Sequence, residues 1–369
     1  MPDSLLSLPV ELLRAVVLPA IPPVEAVSAY KERQDTLRSL CKTCKALCAV
    51  SQPLLWQIFR PQKDDPLPLL IAKQHLAQRV QIFDARAEAS YRPLLSRLDC
   101  MPGLEDFRLS GRGLLFRKQD WTSLGSAGIK HLTLLDVALT RSDLTSISFP
   151  NLVTLTIRAS FDYPNETLPA SQLPKLQAAY SSATSNISGS WYSTILTFEA
   201  CPTLEMLQVR CDYAMWPSRF TPPSPLIPLL LAFPLNQAKQ LGTANLRCFK
   251  HFQLEAAWRD SRQYQRGHVL TTAEHVDDLE TLIKFIQSAS QILSFSLPYE
   301  FHPGTPLPPG RHLRRQKLLD ALESRSIKLI WRLNSKQKED DVAVSREFWQ
   351  YSKELKARKS ADSNDVGEQ

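Results

Sequence analysis

One short pattern recurs along the chain and constrains its fold more than any other feature. Four segments read apolar-Pro-x-Leu-x-x-apolar-x-apolar: "MPGLEDFRL" from Met101, "FPNLVTLTI" from Phe149, "LPKLQAAYS" from Leu173 and "CPTLEMLQV" from Cys201. A fifth, "AGIKHLTLL" from Ala127, carries Gly128 in place of the proline. The anchors Leu104, Ile129, Leu152, Leu176 and Leu204 stand 25, 23, 24 and 28 residues apart, a spacing typical of stacked repeats. Each copy is a turn followed by a short alternating strand, so its leucine and apolar slots share one face. One copy cannot bury that face alone; its neighbours bury it by stacking. The expected fold class is α/β, a curved ladder with a parallel sheet on its inner face.

Looser copies extend the series. "RVQIFDA" at 79–85 reads as a first strand, "FKHFQLEA" at 249–256 and "ILSFSLPY" at 292–299 as later ones, and "IKLIWRL" at 327–333 as the last. Between Leu204 and Phe249 lies "WPSRFTPPSPLIPLLLAFP", 216–234, whose prolines forbid a regular central strand and predict a loop on one flank. "RHLRRQK" at 311–317 reads as the start of a solvated helix over 312–324, with a nuclear-import signal as the other reading. The tail, 336–369, opens with "KQKEDD". A helix over 342–358 then places Val344, Phe348, Tyr351 and Leu355 on one face, and the final residues hold too little apolar surface to order themselves.

Ahead of the repeats, "LRSLCKTCKALCAV" at 37–50 contains Cys41-x-x-Cys44 and Cys48. Leu37, Leu40, Cys41, Cys44, Leu47 and Cys48 form one helical stripe, with Thr36 as its N-cap. A structural zinc site takes four ligands, usually as two close pairs; no second Cys-x-x-Cys follows. These thiols therefore read as small core side chains. Upstream, "SLPVELLRAVVL" at 7–18 has Pro9 for a first helical turn and Glu11 at the positive end of the helix dipole. Downstream, "AVSQPLLWQIF" at 49–59 ends the segment on Leu55-Trp56.

The order Leu8-Pro9, Glu11-Leu12-Leu13, Leu40-Cys41 and Trp56 resembles an F-box over residues 5–60. Between Leu18 and Leu37 the linking segment is longer than the family's. Residues 61–335 resemble the irregular leucine-rich repeats found behind F-boxes. The resemblance implies a substrate-recognition subunit of an SCF-type cullin–RING ubiquitin ligase, with no catalysis of its own. It implies that Leu8, Pro9, Glu11, Leu12, Leu13, Val16, Leu40 and Trp56 meet the small adaptor subunit. Two other classes remain open: a repeat scaffold without a ligase connection, with 5–60 as its helical cap, and a basic repeat protein binding nucleic acid or phosphate.

Residues alternating with the apolar slots leave the leucine face. They are Asp106 and Arg108, His131 and Thr133, Thr154 and Thr156, Ala178 and Tyr180, then Met206 and Gln208, with Arg158 and Arg210 one step on. Of these, Asp106, Arg108, His131, Thr156, Arg158, Tyr180, Gln208 and Arg210 are the candidate target-binding residues. Three arginines and a histidine on one face suit an acidic or phosphorylated segment, which the guanidinium fork grips; solubilising charge is the alternative.

Composition narrows the remainder. A net charge of +7 without interleaved aromatics reads as basic surface and argues against a nucleic-acid partner. The longest apolar run, "PLIPLLLAFPL" at 225–235, is too short and too proline-broken for a membrane helix. Without a basic n-region and cleavage site the start reads as no signal peptide, and an odd, thin scatter of 7 cysteines fits a reducing compartment, cytoplasmic or nuclear. No phosphate-binding Gly-x-x-x-x-Gly-Lys loop, Gly-x-Ser-x-Gly elbow or histidine pair at i, i+4 occurs; no cofactor, metal or catalytic residue is expected.

Overall fold

A computed structural model describes residues 9–21, 30–61, 67–86, 92–111, 115–140, 148–162, 172–183, 201–212, 250–257, 283, 286–287, 292–298, 311–332, 348, 351–352 and 354–355. The chain is mixed α/β and divides into two compact units, Met1–Ser110 and Gly111–Gln369. The proline-rich stretch 216–234, Leu8 and the ends of the tail lie outside the described residues.

The first unit opens with helices α1 (Val10–Val17), α2 (Tyr30–Thr43) and α3 (Lys45–Leu55). Leu13, Val17, Ile21, Leu37, Leu47, Val50 and Leu54 meet in one apolar cluster, with Leu40, Cys44, Ala46 and Leu55 packed against it. The single helix expected through Leu37–Cys48 is two helices. Cys44 takes an extended backbone and caps α3, its sulfur accepting the Leu47 N–H at 3.4 Å. Nor does Thr36 start a helix: α2 begins at Tyr30, ahead of the apolar stripe. Arg33 and Gln34, buried on α2, bond to the Gln57 side chain and the Leu55 carbonyl. These bonds tie α2 to the chain leaving α3.

Three parallel strands follow in this unit: β1 (Ile58–Phe59), β2 (Ile82–Arg86) and β3 (Asp106–Ser110). Short helices α4 (Leu67–Ala72), α5 (Gln74–Ala77) and α6 (Arg92–Leu95) lie between them in sequence. Phe59, Phe83 and Phe107 stand in register, so their rings meet across the strands: Phe59 and Phe83 tilted at 6.1 Å, Phe83 and Phe107 stacked at 5.1 Å.

In the second unit, β5 (His131–Thr140), β6 (Thr154–Asp162), β7 (Ala178–Ala183), β8 (Met206–Asp212), β9 (His251–Ala257), β10 (Ser294–Pro298) and β11 (Lys328–Arg332) pair in parallel, each with the next. β4 (Leu115–Phe116) pairs with β5. Helix α7 (Lys118–Ser126) precedes β5, and α8 (Arg311–Glu323) precedes β11.

The repeated pattern has a hydrogen-bonding reason. Proline sits inside a turn that the following leucine closes: Leu104 N–H donates to Met101 O, Leu152 to Phe149, Leu176 to Leu173 and Leu204 to Cys201, at 3.0–3.3 Å. Counted back from the anchor Ile129, Ala127 holds the place of the proline and Gly128 that of the residue after it; Gly128 takes φ +73, a conformation glycine adopts without strain. The two N–H groups after the anchors Leu104, Leu152, Leu176 and Leu204 then share one carbonyl of the preceding repeat. Glu105 and Asp106 share Gln81 O; Val153 and Thr154 share Lys130 O; Gln177 and Ala178 share Val153 O. Glu205 and Met206 share Gln177 O, Lys250 and His251 share Glu205 O, and Leu293 and Ser294 share Lys250 O. The same rung thus joins the loose copies at 249 and 292 to the regular ones. The anchors Leu104, Ile129, Leu152, Leu176 and Leu204 are all buried.

Candidate functional site

Two surfaces follow from the residues singled out in the sequence. The first lies on α1, whose 3.6-residue period divides it into two faces. Leu13 and Val17 turn into the helical core, while Leu12 and Val16, one turn apart, stay 54% and 49% exposed. Pro9 and Glu11 are exposed as well, and Leu18, in the turn after α1 and outside the expected adaptor-facing set, adds a further 40% exposed side chain. Its signal was present, an apolar residue directly after the helix, but nothing local distinguishes it from a core leucine.

Three residues of the expected adaptor-facing set are used internally instead. Leu13 is 1% exposed, at the centre of the cluster. Leu40 packs against the same cluster from α2. Trp56 is half-buried and stacks on Phe59 at 5.8 Å with ring planes 11° apart, joining the aromatic stack of β1–β3. Trp56 is the C-cap of α3, three residues before Phe59, and its ring meets the strand ladder there.

The cysteines beside this surface are free. Burial, with Cys48 next to it, pushes the Cys41 thiol up, opposite to the shift of a reactive thiolate. Among the described residues no cluster of three His, Cys, Asp or Glu has metal-binding geometry.

The second surface is the sheet face opposite the leucine rows. Strand register aligns His131, Thr154, Ala178, Met206, His251 and Ser294 in one row. Thr133, Thr156, Tyr180, Gln208, Gln253 and Ser296 form the next. The alternation is as expected, but this face is not open. Asp106, His131, Thr156, Tyr180 and Gln208 are all buried. His131 Nδ1 lies 2.9 Å from Thr154 Oγ1, and His251 Nδ1 lies 2.8 Å from Ser294 Oγ, so hydroxyls flank the row's apolar centre.

Arg108 is engaged as well. Its Nε and Nη2 donate to Asp106 Oδ1 and Oδ2 at 3.1 and 2.7 Å, a two-pronged pair within one strand. The fork expected to await a target carboxylate or phosphate already holds a carboxylate. Its register partner Asp84 takes Arg60 at 2.9 Å, and Arg60 lies over the Tyr30 ring. Arg158 and Arg210 both pair with Ser182, so they stand two strands apart, about 10 Å. Glu255 is the register partner of Arg210; the side chains of Arg158 and Arg210 lie outside the described residues.

The centre of the face is covered by the tail. Phe348 and Leu355, 2% and 4% exposed, pack with Val153, Ala178, Tyr180 and Met206, and Tyr351 packs against the same cluster. The Phe348 ring lies 5.8 Å from that of Tyr180. The Tyr351 hydroxyl donates to Glu205, which also receives the Lys250 ammonium at 3.3 Å. Tyr351 meets the His251 ring edge-on at 5.6 Å, and burial pushes the His251 imidazole down, against the pull of Glu205. Described residues of the tail are helical, with Glu354 outward, so the sequence pattern of Phe348, Tyr351 and Leu355 is an inward face.

Among the described residues no helix is long and apolar enough to cross a membrane. Compared with known proteins, the chain matches no family model, no curated protein and no solved structure.

Proposed function

We propose that the chain is a substrate-recognition subunit of a cullin–RING ubiquitin ligase, docking the adaptor through α1 and a target protein through its repeat strands. The observation that carries the reading is the apolar pair Leu12 and Val16, one turn apart and left in solvent by a helix whose Leu13 and Val17 are buried in the core. A helix with two apolar faces has a second surface to bury, and a contiguous exposed apolar patch marks a partner site. The sequence order around it is the one that resembles an F-box. Such a subunit needs no reacting groups: holding a target beside a ubiquitin-loaded partner raises its effective concentration.

The test is adaptor capture by the full chain and by Leu12→Ala with Val16→Ala, measured by titration. Both side chains are about half exposed, so the variant keeps its fold and its melting temperature. Loss of central apolar anchors costs about 2–4 kcal/mol of binding, a weakening of roughly thirty-fold or more. No capture by the parent chain, or equal capture by the variant, refutes the reading and leaves a repeat scaffold without a ligase connection.

A further inference from the structure

We propose that the sheet face over β6, β7 and β8 is a docking site for an amphipathic helix with Phe-x-x-Tyr-x-x-x-Leu anchors, that residues 348–355 occupy it in cis, and that a partner protein's segment of the same pattern binds by displacing them. The inference rests on the reading of the repeat strands as the recognition part of the chain, and names what that part recognises.

The receptor side is a small apolar island in a polar face. Ala178, Tyr180 and Met206, with Val153 at the edge, are flanked in register by Thr154, Thr156, Gln208 and His251. The occupant matches the island anchor for anchor. Phe348 lies against Tyr180, Leu355 is buried in the same cluster, and Tyr351 lies between them in sequence, its hydroxyl on Glu205. That hydrogen bond gives direction: a phenylalanine in its place would leave Glu205 to Lys250 alone. The recurring one-face spacing makes the site a helix-in-groove receptor.

The contact is built to open. Among the described residues, the rungs that hold β6, β7, β8 and β9 together run from repeat to repeat and include no backbone group of the tail. Removing the tail therefore breaks none of these bonds. Three anchors oppose the ordering of an eight-residue segment, and the two effects are of similar size. A closed state favoured by a small margin lowers the apparent affinity of an outside helix by the fraction closed, and a partner's segment must overcome that margin.

The experiment uses the full-length parent, Phe348→Ala with Leu355→Ala, and that variant with Ala178→Arg added. The probe is a fluorescein-labelled synthetic peptide of residues 342–358, read by anisotropy. The expected result is at least ten-fold tighter peptide binding by the double variant than by the parent, abolished by Ala178→Arg. Equal affinity for parent and double variant, or binding indifferent to Ala178→Arg, overturns the proposal. Hydrogen exchange on the parent supplies a second measurement that needs no variant to fold. Amides of 348–355 should exchange at least ten-fold faster than those of β7; equal rates mean that the segment opens only with the whole fold, which also overturns it. Self-association of the parent that disappears in the double variant would assign the face to a second copy's tail and overturn the cis arrangement. Adaptor capture is measured on the same double variant; since α1 is untouched, its absence counts against the proposed function and leaves the peptide result standing.

Discussion

Cys44 separates a capping role from a core role by the order of two substitutions. It is only half-buried, and its sulfur accepts the Leu47 N–H at the start of α3. If it were a core thiol, serine would be the worse replacement, since it buries a hydroxyl at a cost of about 1–3 kcal/mol. As a cap the order reverses. Serine is among the best N-cap residues, and replacing such a cap by alanine costs about 1 kcal/mol. A thiol is a weaker acceptor than a hydroxyl, so cysteine falls between the two. Half-burial of the sulfur opposes the gain from serine, and the two nearly cancel. Cys44→Ser is expected within about 0.5 kcal/mol of the parent, and Cys44→Ala about 1 kcal/mol below the serine variant. In a unit of this size about 1 kcal/mol moves the melting temperature by about 4 °C. The assay is thermal unfolding by circular dichroism of the full chain in reductant. An alanine variant as stable as the serine variant, or more so, refutes the cap.

Other expectations follow from the packing. A Cβ at Gly125 would stand 2.4 Å from the Ser148 carbonyl oxygen, so Gly125→Ala should destabilise by about 1–3 kcal/mol; a melting temperature equal to the parent's counts against the packing of α7. Phe83 is fully buried between Phe59, tilted against it, and Phe107, stacked on it, so Phe83→Ala should cost about 3–5 kcal/mol in urea titration, and a loss below about 1 kcal/mol would remove the aromatic row as a support. Burial pushes the Cys201 thiol far above its ordinary range, so it should resist maleimide at neutral pH until the chain is unfolded; native labelling would contradict its burial. Because the folded state holds that proton more tightly, the contribution is fully present below the unfolded thiol's pKa of about 8.5 and is lost as pH rises beyond it. Unfolding followed from pH 7 to 10 should therefore show a decline that Cys201→Ala makes shallower.

The strands were legible because their cause is local. Proline at the turn and leucine three residues after the turn's first residue are enough to locate β3, β6, β7 and β8. The looser copies ahead of β9, β10 and β11 kept enough alternation to be seen as well. The split between α2 and α3 was hidden because a one-residue break at Cys44 leaves the apolar stripe nearly in phase. The early start of α2 was hidden because Arg33 and Gln34, polar in sequence, are buried by bonds to residues 24 and 21 positions away. Alternation puts the inner-face residues on one side of their strands, but it carries no sign that Asp106, His131, Thr156, Tyr180 and Gln208 are buried there. Their cover is remote: Tyr351 and Glu205 are separated by 146 residues, and no window of sequence pairs them. The Asp106–Arg108 pair was nearer to hand. Two residues apart on a strand share a face, so opposite charges there satisfy each other before any partner arrives.

The shared-carbonyl rung gives the chain a way to change length. Successive acceptors Gln57 and Gln81 are 24 positions apart, while Glu205 follows Gln177 by 28 and Lys250 follows Glu205 by 45, yet each accepts the same pair of N–H groups. Closing an interval nearly twice as long costs only about 0.6 kcal/mol more in loop entropy. Insertion between rungs is thus almost neutral, whereas a shift of one residue at a rung would invert a whole strand. A lineage of such chains can lengthen its intervals freely while keeping its rungs fixed. Total length would then be a poor guide to kinship, and the count of rungs a better one.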